Sequence, residues 1–383
     1  MKQKYIPVLF FATFITSFQF CFGQLNSKIA PVVNQFGSQI SADLKKDNLH
    51  GSMSAAIVKN NKVIWSQAFG YSSREKDVAA NIGTIYRIGS ITKTFTATLL
   101  MLLVEEGKIK LDDPVKTYLP EIKKLKGYKD DYKITFRQLA SHTAGLDREP
   151  AIQGFDVGPL EQWEAKLLYC IPYTSFNSKP GTQFLYSNIG YALLGLALSR
   201  AAGGAYMHLV QQKILAPLQM HDTFFALPGD KKARLAEGMA NGGNTVKTQV
   251  PFKAEKVNTT LPLSELKGRG YKVPNGGIYT TPRDTAKFVL SLMGNPPLLT
   301  AKSRGQMQQV PRGGKNYGFG LMITGNQGGN IIGHGGAVPG YTAQFMIDQS
   351  SGYAVILMRN YNYGSTNLEK ISLDLLKKLK LED

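Results

Sequence analysis

Cysteine is nearly missing from this chain: among 383 residues, only Cys21 and Cys170 carry a thiol. If Cys21 leaves with an N-terminal leader, no intramolecular disulfide can form, and the size of the core has to stabilise the fold. With 43% hydrophobic residues there is material for such a core, in one large domain or two. Several catalytic signatures are missing as well. There is no G-x-S-x-G elbow, no H-E-x-x-H, no paired C-x-x-C and no G-x-x-x-x-G-K loop, so nothing asks for a metal or nucleotide cofactor. His50, His142, His208 and His221 are too dispersed to read as ligands and are taken as structural or surface residues, with His142 placed to border a cleft through its loop. Internal repeats, low-complexity tracts and a long Pro or Ser linker are absent, which argues against two independent halves.

Acidic residues are scarce too: 27 Asp and Glu face 45 Lys and Arg, for a formal charge of +18. That excess favours anionic neighbours such as cell-wall polymers or lipid headgroups. It does not point to nucleic acid. The densest groups, Lys123, Lys124, Lys126 and Lys129, then Lys377, Lys378 and Lys380, are not interleaved with aromatics and fit solvated faces better. Lys2 and Lys4 precede a nearly unbroken apolar stretch from Tyr5 to Phe22, with small Gly23 before polar Gln24. This pattern predicts a secretory signal peptide over residues 1–23, hence a periplasmic or secreted protein. A membrane anchor fits less well, because Thr13, Thr16, Ser17 and Gln19 interrupt the stretch and no cationic stop-transfer cluster follows.

The periodicity predicts an α+β chain. From Leu25 to Leu44 the apolar residues recur at helical spacing, and strands are expected at Met53 to Val58 and Val63 to Phe69, joined through Asn60-Asn61. Further strand-like runs cover Tyr317 to Ile323, Asn330 to His334, Tyr341 to Ile347 and Tyr353 to Met358, and a closing helix carries Leu368, Ile371, Leu375, Leu376 and Leu379. An antiparallel sheet made from both ends of the chain, covered by the first and last helices, follows from this pattern. The middle reads as helices with marked ends. Thr135 with Gln138 fits a capping box, Asn188 precedes a helix stopping at Gly203-Gly204, and Thr281-Pro282 opens another. The expected organisation is therefore an α/β lobe from about 24–89 and 267–383, with a helical lobe inserted at about 90–266 and a cleft between them. Residues 238–263, rich in Gly, Asn, Thr and Pro, read as a loop.

Three short motifs carry chemistry. Ser90-Ile91-Thr92-Lys93 opens an apolar helix, so Ser90 and Lys93 share one face, and a desolvated lysine can take the proton from a serine near a helix N-terminus. Alone, it also fits a Ser N-cap followed by a surface lysine. Tyr186-Ser187-Asn188 supplies a phenol and an amide just before a helix, where a capping role is the plain alternative. Gly333-His334-Gly335-Gly336 ends a strand, where missing side chains would let a substrate backbone lie along the sheet edge, or where a hairpin simply exposes a histidine.

Together the three motifs resemble the penicillin-recognising serine hydrolases: class C β-lactamases, D-alanyl-D-alanine carboxypeptidases, D-aminopeptidases and related esterases. The resemblance extends over Tyr86-Arg87-Ile88-Gly89, Leu111 to Val115, Ser141 to Leu146 and Asn275 to Thr281, and so over nearly all of the expected mature chain. It implies a single β-lactamase/transpeptidase-like catalytic domain over 24–383. It further implies that Ser90 attacks a carbonyl to form an acyl-enzyme, that Lys93 and Tyr186 accept its proton, and that Asn188 orients Lys93 and the substrate amide. The backbone N–H groups of Ser90 and Ala337 would form the oxyanion hole, with Gly335 and Gly336 along the substrate. His334 stands where many relatives have lysine and would supply part-time positive charge or a proton transfer near neutral pH. Gly335, Gly336 and Ala337 offer no side-chain donor where carboxylate-binding relatives have hydroxyls, which makes an esterase, D-aminopeptidase or other amidase as plausible as a carboxypeptidase or β-lactamase. A non-turnover penicillin sensor, or a pseudo-enzyme gripping cell-wall fragments, is the alternative from another class.

Overall fold

The structure is a computed structural model that describes residues 26–73, 76–239, 269–324, 331–362 and 364–383. The expected signal segment with Cys21, Asn330 and most of the expected 238–263 loop lie outside the described residues.

Helix α1 (Ala30–Asp47) begins with a proline in its first turn and leads into the hairpin β1 (Ser52–Lys59) and β2 (Lys62–Ser73). Asn60 takes φ 53° at the hairpin tip, the positive angle that asparagine tolerates better than most residues. The short strand β3 (Val78–Ala79) edges the sheet, and β4 (Tyr86–Arg87) delivers the chain to helix α2 (Thr92–Glu105). Then follow α3 (Phe136–Ala140), α4 (Trp163–Cys170), α5 (Asn188–Ala202) and α6 (Tyr206–Val210). The return passes through α7 (Val273–Gly276), β5 (Tyr279–Thr280), α8 (Pro282–Met293) and α9 (Ala301–Met307). It ends in β6 (Met322–Thr324), β7 (Ile331–Val338), β8 (Tyr341–Asp348), β9 (Tyr353–Arg359) and α10 (Leu368–Leu381).

Among the described residues the main sheet runs β3-β2-β1-β9-β8-β7-β6, antiparallel throughout, and β4 pairs with β5 in a second small ladder. The first and last strands of the chain thus meet at its centre, with Met53 opposite Arg359. Because side chains alternate along a strand, each face of the sheet buries its own set. Met53, Ala55 and Ile57 of β1 pack outward with Val355 and Leu357 against Val33, Phe36 and Ile40 of α1 and Leu375, Leu376 and Leu379 of α10. Truncating Phe36 to alanine in such a layer costs about 3–5 kcal/mol. Ala56 and Val58 face the other way, into a larger core with Phe345, Ile356 and the helices α2, α5 and α8, where Phe95 stacks on Phe288 at 3.7 Å.

Helices α2 and α5 are buried almost all round, unlike α1 and α10, which explains why their apolar runs lack a polar face. Side-chain caps start α3 and α5. The Thr135 hydroxyl accepts from Gln138 N while Gln138 Oε1 accepts from Thr135 N, and Ser187 Oγ accepts from Gly190 N at 2.9 Å. Ser187 is the cap, so Asn188 is the first helical residue with its side chain released for other work. Cys170 is buried, and burial pushes its thiol up to about 12.

One expected strand is shorter than its pattern. Over Tyr317 to Ile323, continuous pairing starts only at Met322. A Cβ on Gly318 would lie 2.0 Å from Met307 O, and one on Gly320, at φ +66°, would lie 2.8 Å from Lys93 O. The segment is shaped by packing against α9 and α2, not by a ladder. The glycine-rich motif also differs in place: β7 runs through Gly333-His334-Gly335-Gly336 to Val338 and does not end there.

Candidate active site

Everything around Ser90 depends on a close approach of two main chains. The turn Gly89–Ile91 abuts β7 so tightly that a Cβ on Gly89 would sit 2.9 Å from Ala337 N, and one on Gly336 would sit 3.0 Å from Ser90 N and 1.9 Å from Ile88 O. Gly89 also takes φ +49°, where a Cβ is disfavoured. These glycines are required by the protein's own backbone. The expectation that bareness along β7 serves a substrate is left to Gly335, whose Cβ would meet only the Gln344 side chain, beyond Gly333 where β6 stops pairing with β7 and the edge is open. The contact brings the main chain of Ser90 and Ala337 together at one end of the cleft.

Lys93 is fully buried as the second residue of α2, one turn beyond Ser90. Its Nζ donates to Ser90 Oγ at 3.0 Å, Asn188 Oδ1 at 2.7 Å and Asn275 O at 3.0 Å. Burial holds its pKa well below that of a solvent lysine; the Glu149 carboxylate opposes this shift, while Arg148 and Lys272 add to it. At a given pH, a larger share of Lys93 is therefore a neutral amine able to accept a proton. Tyr186 stands across from it, its ring 4.9 Å from the Lys93 Nζ. Burial pushes the phenol up to about 12, against a lowering by its hydrogen bond with Ser90.

His334 is brought to the same cleft but in a different state from the expected one. It is buried, and desolvation together with the nearby Lys93 lowers its pKa to about 3, against the pull of Gly335 O. Gly335 O, 2.6 Å from Nδ1, can only accept, so Nδ1 carries the proton and Nε2 accepts from the Tyr317 hydroxyl at 2.9 Å. The imidazole is neutral at pH 7 and both nitrogens are occupied. The part-time positive charge expected of it is corrected on this ground.

The sequence reading also missed residues behind and beside the motifs. His142, expected at most to border the cleft, is buried behind Tyr186 with ring centroids 4.1 Å apart, and its Nδ1 accepts from Ser187 N. Burial holds it neutral. Arg148 lies in the cleft over the Tyr186 ring at 5.1 Å and makes no ion pair among the described residues. Glu149 Oε1 accepts from Asn188 Nδ2 at 2.6 Å. Both follow the Ser141–Leu146 stretch within three residues, a proximity that could have flagged them. The cleft encloses about 530 Å³ between Ser90, Tyr186 and Arg148 on one side and His334 to Ala337 with Thr342 and Gln344 on the other. Among the described residues, no group of three or more His, Cys, Asp or Glu is arranged to hold a metal ion.

Known proteins resemble this chain in sequence and fold. A family model described as Beta-lactamase matches residues 39–377. Beta-lactamase-like protein 2 of Dictyostelium discoideum is 33% identical over 262 residues, covering 66% of this chain and 44% of that protein. Beta-lactamase-like protein 4 of the same organism is 32% identical, over 68% of this chain and 45% of its own length. Protein flp of Staphylococcus aureus (strain MW2) is 25% identical over 86% of this chain and 63% of itself. The chain thus spans about half the length of the two Dictyostelium relatives. Among solved structures, the octameric penicillin-binding protein homologue from Pyrococcus abyssi superposes with a TM-score of 0.72 at 26% identity, covering 91% of this chain and 77% of that one. A Beta-lactamase/D-alanine Carboxypeptidase from Yersinia pestis, complexed with citrate, gives 0.72 at 23% identity over 94% of this chain and 99% of that one, a likeness of fold.

Proposed function

Because the chain belongs to the Beta-lactamase family, we propose that it is an exported serine hydrolase that acylates Ser90 and then hydrolyses an ester, amide or cell-wall-type peptide bond. The observation that carries this reading is the fully buried Lys93 amine, 3.0 Å from a Ser90 hydroxyl that opens onto the cleft. Ser90 Oγ attacks the substrate carbonyl as Lys93 takes its proton, and the Ser90 and Ala337 N–H groups receive the developing oxyanion. Tyr186, hydrogen-bonded to Ser90, passes a proton toward the leaving group, and water then releases the acyl group. Arg148, in the cleft and exposed, favours substrates carrying a negative charge near the Tyr186 wall. Export with removal of residues 1–23 belongs to the same proposal, as does association with an anionic cell-wall or membrane surface, which the +18 charge supports.

The test uses a fluorescent penicillin, a p-nitrophenyl ester and D-amino-acid amides, with intact-mass measurement of the protein. Turnover of any one, lost in Ser90→Ala, supports the hydrolase. A lasting adduct on Ser90 without turnover would favour a penicillin-binding sensor instead, and neither labelling nor turnover on any substrate would end the proposal.

A further inference from the structure

The two carbonyls that flank Lys93 differ in one respect. Asn275 offers a main-chain oxygen, fixed by α7, whereas Asn188 offers a side-chain amide that could present either end. The choice is made on the far side of that amide. Asn188 Nδ2 donates to Glu149 Oε1 at 2.6 Å, and a carboxylate has no proton to give, so a flipped amide would set oxygen against oxygen. Glu149 is itself held from behind: the Tyr271 phenol donates to Oε2, and Lys272 Nζ lies 3.4 Å from Oε1 and 3.6 Å from Asp156 Oδ2. Asn188 N also donates to Arg148 O at 2.8 Å, so main chain and side chain of the same dipeptide dock on the start of α5.

The direction of that amide matters to the amine. A neutral lysine has two N–H bonds and one lone pair. When Asn188 Oδ1 and Asn275 O accept the two N–H bonds, the third contact of Nζ, to Ser90 Oγ, is left for the lone pair. We propose that Glu149 is a positioning residue for nucleophile activation, whose carboxylate holds the Asn188 amide with Oδ1 toward Lys93 and thereby aims the Lys93 lone pair at Ser90. The inference rests on the acyl-serine reading above and names a residue which that reading does not use.

Glu149 also acts on Lys93 through charge. The groups facing the amine are Arg148 and Lys272, which disfavour its protonation, the neutral His142 and His334, the phenols of Tyr186 and Tyr191, and Glu149, the one carboxylate among them. Replacing Glu149 by glutamine keeps an oxygen for Asn188 Nδ2 but removes that charge, so Lys93 sheds its proton at lower pH. Alanine removes both.

The experiment compares the full chain, Ser90→Ala, Glu149→Gln and Glu149→Ala in single-turnover acylation by p-nitrophenyl acetate from pH 5 to 10, read at the isosbestic wavelength of the product. In Glu149→Gln the acidic limb of the acylation rate should move to lower pH by on the order of one unit, with a plateau within about threefold of wild type. In Glu149→Ala the plateau should fall roughly tenfold or more with KM little changed, a loss confined to the chemical step. An active wild type whose limb and plateau are unchanged in both Glu149 variants would overturn this inference alone. A wild type no faster than Ser90→Ala would overturn the parent reading and this one with it.

Discussion

Lys93, Tyr186 and Asn188, on one wall of the cleft, are side chains held at the starts of helices, whereas Gly335, Gly336 and Ala337, on the other, present little beyond main chain. The helical wall sets proton affinities by burying polar groups and tying them to one another. The strand wall sets distance, because its glycines let β7 come within touching range of the Ser90 turn. Reactivity and reach are thus assigned to different elements, and substitutions on the two walls should fail in different ways.

The largest effect is expected on the helical wall. Ser90→Ala should abolish any covalent adduct by intact-mass measurement and lower turnover by roughly three to six orders of magnitude, with the melting temperature nearly unchanged. On the strand wall, Gly336→Ala should instead cost stability, about 1–3 kcal/mol by urea denaturation, because its methyl meets Ile88 O and the Ser90 turn has to shift. Gly335→Ala is the control: its methyl would meet only the end of the Gln344 side chain, at 2.7 Å, so stability should move by less than about 1 kcal/mol. Equal losses at 335 and 336 would break the contrast between reach and reactivity.

Acid should expose the buried imidazoles. His334 and His142 both have pKa values lowered by burial, so below about 6.5 the unfolded chain binds protons that the folded chain refuses. Their stabilising share is therefore complete above that pH and declines as pH falls below it; for His334 the decline runs toward about 3, by about 1.4 kcal/mol per unit. Denaturant titrations at pH 7.5, 6, 5 and 4 check the slope, and His142→Gln should reduce it. The smallest effect is Arg148→Ala: acylation by an anionic penicillin should slow severalfold more than acylation by a neutral p-nitrophenyl ester, a difference that shrinks in high salt.

Much of this architecture was legible in local pattern. The Asn60 turn, the Thr135 and Gln138 capping box, the Gly203 stop and the apolar face of α10 each follow from neighbours a few residues apart. Ser90, Lys93, Tyr186, Asn188 and His334 could be singled out because each sits in a short motif of recognisable order, and the structure brings all five to one cleft or its immediate wall. What local pattern could not carry was the environment each side chain would meet. The neutral state of His334 depends on burial and on Lys93 from a distant segment, and the orientation of Asn188 depends on Glu149, 39 residues upstream. The irregular path before Met322 was misread for the same reason: its alternation suits a strand, but contacts with Met307 O and Lys93 O decide its shape.

The meeting of β1 and β9 at the centre of the sheet carries a consequence for biosynthesis. A chain still being made can reach residue 320 with its serine, lysine and phenol already translated, yet the strand that faces them and the one that closes the sheet are still to come. Long-range pairing of this kind is slow to form and waits for the last partner. The cleft therefore has a built-in delay: it stays unfinished until the stretch that carries β7, β8 and β9 has been made.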